Sequence, residues 1–399
     1  MEELASLAET AGGEVIDMVL QEKRHPDAAT FVGKGKAEEI AALSEDKDID
    51  LVVLDDDLSP AQARNLEHLI GRRVIDRSQL ILDIFALGAR TSVAKAQVEL
   101  AQIEYTLPRL RRMWEHLSRT GGGIGTRGPG ETQLEVDRRR IRRRMFTLKK
   151  MLDKVEKDRR VRTSRRKDFA RVSLVGYTNT GKSTLFNQLT QARVSTGDRL
   201  FETLDATTRV LRLPMNEVAL LSDTVGFIKK IPHNLVASFH ATLECVVEAD
   251  IVIHVADLSY LDYDSQIATV RSVLDEIGAA GKQEILVFNK VDLVESEDQL
   301  ALALRRYEKA IPVSALYGWG ADALKERLVA FVLDRKQEVR INLPPQDGKL
   351  LSYIHKYGTV LERDMVDGRL SILVRIERRY MKPLAEYVEP SASQTGTSN

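Results

Sequence analysis

An α/β architecture in several parts is predicted by three observations along the 399 residues. Short apolar strands alternate with helical stretches over the first hundred positions. Two heptad rows of apolar residues follow, with a glycine-rich break between them. Beyond residue 170, a strand runs straight into a glycine-rich loop and a helix, and further apolar strands come after it. Strand and helix in repeated alternation make parallel sheets.

Residues 15–20, 51–54 and 73–75 read as strands, and 36–43, 60–70 and 78–87 as the helices between them. Ser59 is a suitable N-cap with Pro60 at the first helical position. Residues 1–92 are therefore expected to form a small parallel α/β domain. Within it, Phe31-Val-Gly-Lys-Gly-Lys36 is a weak phosphate-loop signal that an ordinary turn explains better.

Leu100, Ile103, Leu107, Leu110, Trp114 and Leu117 recur at steps of three and four, as do Ile141, Met145, Leu148, Leu152 and Val155. Two such rows predict a long antiparallel helical hairpin over 93–160, kinked at Pro108, with basic residues on its outside. The connector at 120–130 contains six glycines, more than a turn needs. It reads as a tip that becomes ordered on a partner, at the entropic cost that glycine carries. Residues 161–170 form a charged linker.

The chain has 59 Lys+Arg and 59 Asp+Glu, but the charge is segregated. Residues 1–108 carry 11 basic and 21 acidic side chains, 109–171 carry 22 and 8, and 172–399 carry 26 and 30. Only the middle segment would attract a polyanion. The apolar content of 43% excludes a wholly disordered chain, and a single cysteine, Cys245, excludes a disulfide framework. No apolar run approaches the ~18 residues of a membrane span, and the start is acidic rather than basic. A cytoplasmic monomer is the expectation.

The strand 171–175 leads into Gly176, Tyr177, Thr178, Asn179, Thr180, Gly181, Lys182 and Ser183, followed by the helical Thr184 onward. This G-x-x-x-x-G-K-[ST] spacing suits a phosphate loop. Backbone N–H groups curl around the phosphates, Lys182 reaches their β and γ oxygens, and Ser183 ligates Mg²⁺. A second apolar strand ends at Asp223, Thr224, Val225 and Gly226, where a carboxylate can hold Mg²⁺ through water and a glycine N–H can sense the γ-phosphate. A third leads to Asn289, Lys290, Val291 and Asp292, and a fourth to Ser314, Ala315 and Leu316. The Asp292 carboxylate can accept from guanine N1–H and its 2-amino group, which adenine cannot match. Together they predict a P-loop GTPase domain over 171–338, with GTP as substrate.

This set resembles the translation-factor-related P-loop GTPases. The segments 125–135, 200–209 and 223–228 are similar to those of the HflX family of ribosome-associated GTPases, over nearly all of residues 1–340. The resemblance implies binding to the large ribosomal subunit and its RNA through the 93–160 hairpin and tip, with splitting or rescue of stalled ribosomes. It also implies that Thr203, among Phe201, Glu202, Thr203, Leu204 and Asp205, is the switch I ligand of Mg²⁺. On chemistry alone, Thr207 and Thr208 compete for that role. A ribosome-biogenesis GTPase and an RNA-binding scaffold docked by GTP are the rival readings.

Phe227 stands where many GTPases place a water-orienting Gln, so slow hydrolysis by the isolated protein, stimulated by a partner, is expected. Asn179 sits where related GTPases hold K⁺, although turn geometry would explain it equally well. After Leu343-Pro-Pro345, residues 350–357, 359–361, 370–376 and 380–387, with a turn at Asp367-Gly368, suggest a small α/β appendage over 339–388. A polar tail, expected to be disordered, ends the chain at 389–399.

Overall fold

The computed structural model describes residues 1–22, 25–119, 129–164, 169–192, 200–201, 206–230, 240–294 and 296–389, with backbone alone for 110–119, 129–135, 159–164 and 240–242. The chain divides into two compact units. The first comprises 1–165, 171–210 and 220–320, and the second 166–170, 211–219 and 321–399.

The first unit opens with α1 (Glu2–Thr10), α2 (Lys34–Asp46), β1 (Leu51–Leu54), α3 (Pro60–Ile70), β2 (Arg73–Asp76) and α4 (Arg77–Gly88). Ser59 and Gln62 form a capping box at the start of α3, and Gly71 ends that helix in the left-handed conformation. β1 and β2 pair in parallel from Leu51 opposite Arg73 to Leu54 opposite Asp76. Ala37, Leu54, Leu66 and Val74 fill the space between these elements.

Two elements differ from the sequence reading. Residues 15–20 form no strand, and Ile16, Met18 and Leu20 stand exposed. Their apolar character supplies a face, but a strand needs a neighbour to pair its backbone, and β1 and β2 pair only with each other. Residues 2–10 form an unanticipated helix that has no side-chain cap; Glu2 and Glu3 in its first turn suit the dipole, and Leu7 is fully buried.

Next come α5 (Ser92–Arg119), which continues as helix through Pro108, and α6 (Pro129–Ser164). Ala96, Leu100 and Leu148 are buried at their seam, with Ile103, Met145 and Leu152 beside them. Arg144 forks onto Glu99 with both hydrogen bonds at 2.6 Å, and Lys149 meets Glu104 at 2.9 Å. Arg144 therefore finds its acidic partner across the two helices rather than along one. The glycine-rich stretch 120–128 lies outside the described residues.

A six-stranded sheet follows, built from β3 (Ala170–Gly176), β4 (Thr207–Arg212), β5 (Val218–Asp223), β6 (Ile251–Asp257), β7 (Gln283–Asn289) and β8 (Ile311–Pro312) in the order β4-β5-β3-β6-β7-β8. β3, β6, β7 and β8 run parallel. The interleaved helices are α7 (Lys182–Thr190), α8 (His240–Val247), α9 (Tyr263–Glu276) and α10 (Glu297–Arg306). β3 and β7 are buried almost end to end, as doubly covered parallel strands must be. Their carboxyl ends lie together, where open α/β sheets bind ligands.

The second unit contains α11 (Ala321–Asp334), β9 (Lys336–Leu343), α12 (Gly348–Tyr357), β10 (Gly358–Val366) and β11 (Arg369–Glu377). Its three strands are antiparallel in the order β10-β11-β9, with a tight turn at Asp367-Gly368 where both φ angles are positive. The sequence reading did not single out β9, whose last residue directly precedes Pro344. Ile341, Ile354, Ile372 and Leu384 form the core of this unit.

Candidate active site

The phosphate-loop residues occupy the turn from β3 into α7. Gly181 takes a positive φ of 85°, and a Cβ there would stand 2.2 Å from Asn289 Nδ2. Only glycine fits so close to a neighbour in that conformation. Asn289, at the end of β7, donates from Nδ2 to the Thr180 carbonyl at 2.7 Å and accepts at Oδ1 from the Ala315 amide at 2.9 Å. One buried amide thus fastens the phosphate loop to the loop at Ser314. Ser314 is itself fully buried, and its amide donates to the Trp319 carbonyl at 3.1 Å.

Lys182 is buried, and its ammonium donates to the Tyr177 carbonyl at 2.5 Å. Burial lowers its pKa to about 8, against the opposing pull of Asp223. Ser183 Oγ donates to Asp223 Oδ2 at 2.7 Å, so these two oxygens from different elements meet at one point. Thr184 lies half-buried on the next position of α7. Thr224 is fully buried and donates from Oγ1 to the Leu174 carbonyl at 2.6 Å, while Val225 packs in the core.

Gly226 lies against the phosphate loop: a Cβ there would stand 2.8 Å from Thr178 Cα and 2.9 Å from Lys182 Nζ. The next residue, Phe227, pairs with the loop through backbone. The Thr178 amide donates to its carbonyl at 2.8 Å, and its own amide donates to the Gly176 carbonyl at 3.0 Å. The Phe227 ring is buried in the core, so it presents no polar atom that could orient water.

At the far side of the site, Lys290 takes a φ of 62° and pairs with Asp257 at 2.8 Å. Val291 packs beside Leu286 and Phe288, and Asp292 is half-buried in the short helical turn that follows. Leu316 is exposed. Asn179 is exposed at the loop's crest with a φ of 59°, which asparagine tolerates. Phe201 is buried with a φ of 60°, and its ring meets Phe85 edge-on at 4.6 Å. Glu202, Thr203, Leu204 and Asp205 lie outside the described residues, as do 231–239. Thr208 Oγ1 lies 2.8 Å from Ser222 Oγ within the sheet.

Sequence reasoning missed a set of contacts outside this edge. Tyr177 OH donates to Glu3 Oε2 at 2.6 Å and accepts from the Lys229 amide at 2.8 Å. Arg77, buried at the start of α4, pairs with Glu3 and Asp55 and donates to the Lys229 carbonyl at 3.1 Å. An arginine opening a helix whose next turns are mostly apolar was the available signal.

Comparison with known proteins fits this geometry. Residues 1–86 match a family model described as GTP-binding GTPase N-terminal, 88–166 one described as GTP-binding GTPase Middle Region, and 171–290 one described as 50S ribosome-binding GTPase. The GTPase HflX of Escherichia coli is 43% identical over 380 residues, 94% of this chain and 89% of that protein. The GTPase HflX of Caldanaerobacter subterraneus is 42% identical over 97% of this chain and 90% of that protein. The chain belongs to the HflX GTPase family. As an HflX-family protein it hydrolyses GTP. A solved structure of a GTP-binding protein from Sulfolobus solfataricus in complex with GDP is 26% identical, covers 84% of this chain and 95% of that one, and has a TM-score of 0.43. Among the described residues of this HflX-family chain, no helix is long and apolar enough to cross a membrane.

Proposed function

We propose that this protein, in its GTP state, binds the large ribosomal subunit through the basic face of α6 and splits or rescues stalled ribosomes. Hydrolysis then serves release. The observation that carries the reading is an open surface patch along α6 formed by Arg138, Arg139, Arg142, Arg143, Phe146 and Thr147. At about 100° per residue Arg139, Arg143, Phe146 and Thr147 lie on the side of α6 away from the seam of Met145, Leu148 and Leu152, while Arg138 and Arg142 flank that seam. No ion pair joins those four arginines to any other described residue, in contrast to Arg144. Guanidinium groups with no ion-pair partner among the described residues suit phosphate oxygens of RNA. The match of residues 171–290 to a 50S ribosome-binding model points the same way.

In the site, Lys182 would neutralise β and γ oxygens, the Gly226 amide would face the γ-phosphate, and Asp292 would read the guanine edge. The Thr178 hydroxyl is buried with no hydrogen-bond partner among the described residues, which a phosphate oxygen would satisfy. Ser183 and Asp223 offer an all-oxygen donor pair, which fits Mg²⁺, with Thr203 as a third candidate. When bound, Mg²⁺ supplies charge neutralisation at the phosphates. Asn179 would be the residue to hold K⁺, were a second cation bound beside the phosphates. Because the Phe227 ring is buried, no residue at its position can align the attacking water, so turnover by the isolated protein is slow and the ribosome completes the site.

The test is sedimentation of intact ribosomes with the protein and a non-hydrolysable GTP analogue. The reading predicts co-migration with the large subunit and loss of intact ribosomes. Equal behaviour with GDP would refute a GTP-dependent role. Preference for immature large subunits over finished ribosomes would favour a biogenesis GTPase instead.

A further inference from the structure

The N-terminal elements touch the nucleotide site at three separate segments. Tyr177 OH, on the phosphate loop, donates to Glu3 Oε2 at 2.6 Å. The same hydroxyl accepts from the Lys229 amide at 2.8 Å, and Arg77 holds the Lys229 carbonyl at 3.1 Å. Lys230 then reaches Asp56 at 2.5 Å and the Asp55 carbonyl at 3.1 Å. Phe85 of α4 packs edge-on against Phe201 at 4.6 Å. The phosphate loop, switch II (the segment that begins at Asp223 and contains Lys229) and switch I (the segment around Phe201) are thus each gripped by a different residue from the first ninety.

Tyr177 is the centre of this arrangement because its two ends do different work. Its carbonyl accepts from the Lys182 ammonium at 2.5 Å and from Thr180 Oγ1 at 3.0 Å, inside the phosphate loop. Its hydroxyl leaves the loop and joins a carboxylate of α1 to an amide of switch II. Arg77 closes the circuit: its guanidinium pairs with Glu3 and Asp55 and, through the Lys229 carbonyl, holds the same peptide segment from the other side. The Arg77 side chain is 4% exposed, so its pairing is made in a low dielectric and directional contacts are strong there.

We infer that Glu3, Arg77 and Tyr177 are positioning residues of GTP turnover, forming a relay through which the N-terminal elements set the phosphate loop and switch II. None of them touches the reacting atoms through its side chain. The relay places the Tyr177 carbonyl that orders Lys182, and it fixes the peptide three residues after Gly226. Whatever docks on the N-terminal elements therefore acts on nucleotide affinity before it acts on the bond broken. This inference rests on the nucleotide-site reading above.

The test is a double-mutant cycle of Tyr177→Phe and Glu3→Gln in the full chain, reading release of a fluorescent GDP analogue and kcat and KM for GTP. Both substitutions preserve shape. Removing one partner of a charge-assisted hydrogen bond corresponds to about tenfold. Each single variant should release GDP about tenfold faster and raise KM similarly with kcat nearly constant, and the double variant should match either single. Hydrogen exchange at the Lys229 amide should speed up in all three. Release within twofold of the wild type in both folded singles, or effects that multiply in the double variant, would overturn the relay. If Tyr177→Phe fails to fold, Glu3→Gln together with Arg77→Lys carries the same comparison. Failure of the unaltered protein to bind the GDP analogue would sink the site reading instead.

Discussion

Asn289 Nδ2 donates to the Thr180 carbonyl at 2.7 Å, tying the end of β7 to the loop between β3 and α7. Its Oδ1 accepts from Ala315 at 2.9 Å, so one side chain sets the spacing of three loops. Asn289→Ala would leave a buried carbonyl and a buried amide unpaired, at about 1–3 kcal/mol each. Both thermal stability and GTP affinity should fall, the latter by tenfold or more, as isothermal titration would show.

Gly226→Ala would place a methyl group 2.8 Å from Thr178 Cα and 2.9 Å from Lys182 Nζ. Backbone cannot yield as a flexible side chain would, so switch II must move off the phosphate loop. Affinity for GTP should drop about tenfold more than affinity for GDP, a difference of about 1.4 kcal/mol. Equal losses for the two nucleotides would show that Gly226 does not sense the γ-phosphate.

His254 is buried in β6 with Nδ1 2.7 Å from Glu284 Oε1, and Arg271 also contacts that carboxylate. Burial, opposed by Glu284, holds the imidazole below its ordinary 6.5. Hydrogen bonds and charges from His254 and Arg271 overcome the burial of Glu284 and lower it below 4.5. In both cases the unfolded chain binds the proton first, so stability present at neutral pH is lost on acidification, from about pH 6.5 downward. The slope contributed by one such group is at most about 1.4 kcal/mol per pH unit. Thermal melts between pH 5 and 7.5 should show the fall, and His254→Gln should flatten its upper part.

Asn179→Gly retains the positive φ and removes the amide. If Asn179 holds potassium, turnover in KCl should exceed that in NaCl, and the glycine variant should erase the difference. A glycine variant that keeps the advantage would leave Asn179 a turn residue.

Arg139, Arg142 and Arg143 lie far from the nucleotide-site residues along the sequence and share an open surface patch of α6. Replacing all three by Gln should leave turnover of the free protein unchanged. It should lower the dependence of RNA affinity on log salt by ~0.7–0.9 for each phosphate that the arginines no longer neutralise.

The motifs at Gly176, Asp223, Asn289 and Ser314 were legible because each follows an apolar strand whose burial fixes where the loop begins. The seam of Leu100, Leu148 and Leu152 was legible from its spacing. Residues 15–20 misled because alternation predicts a face, while a strand needs a partner edge. The Glu3, Arg77 and Tyr177 contacts could not be read, since they join positions up to 174 apart in the sequence. No local period encodes such a pairing.

The most direct test of the account is single-turnover GTP hydrolysis by the full chain, alone and with purified large ribosomal subunits, for the unaltered protein and the triple arginine variant. The account predicts slow hydrolysis alone, marked stimulation by the subunit, and loss of that stimulation in the variant at unchanged basal rate. Rapid hydrolysis by the free protein, or full stimulation of the variant, would contradict it.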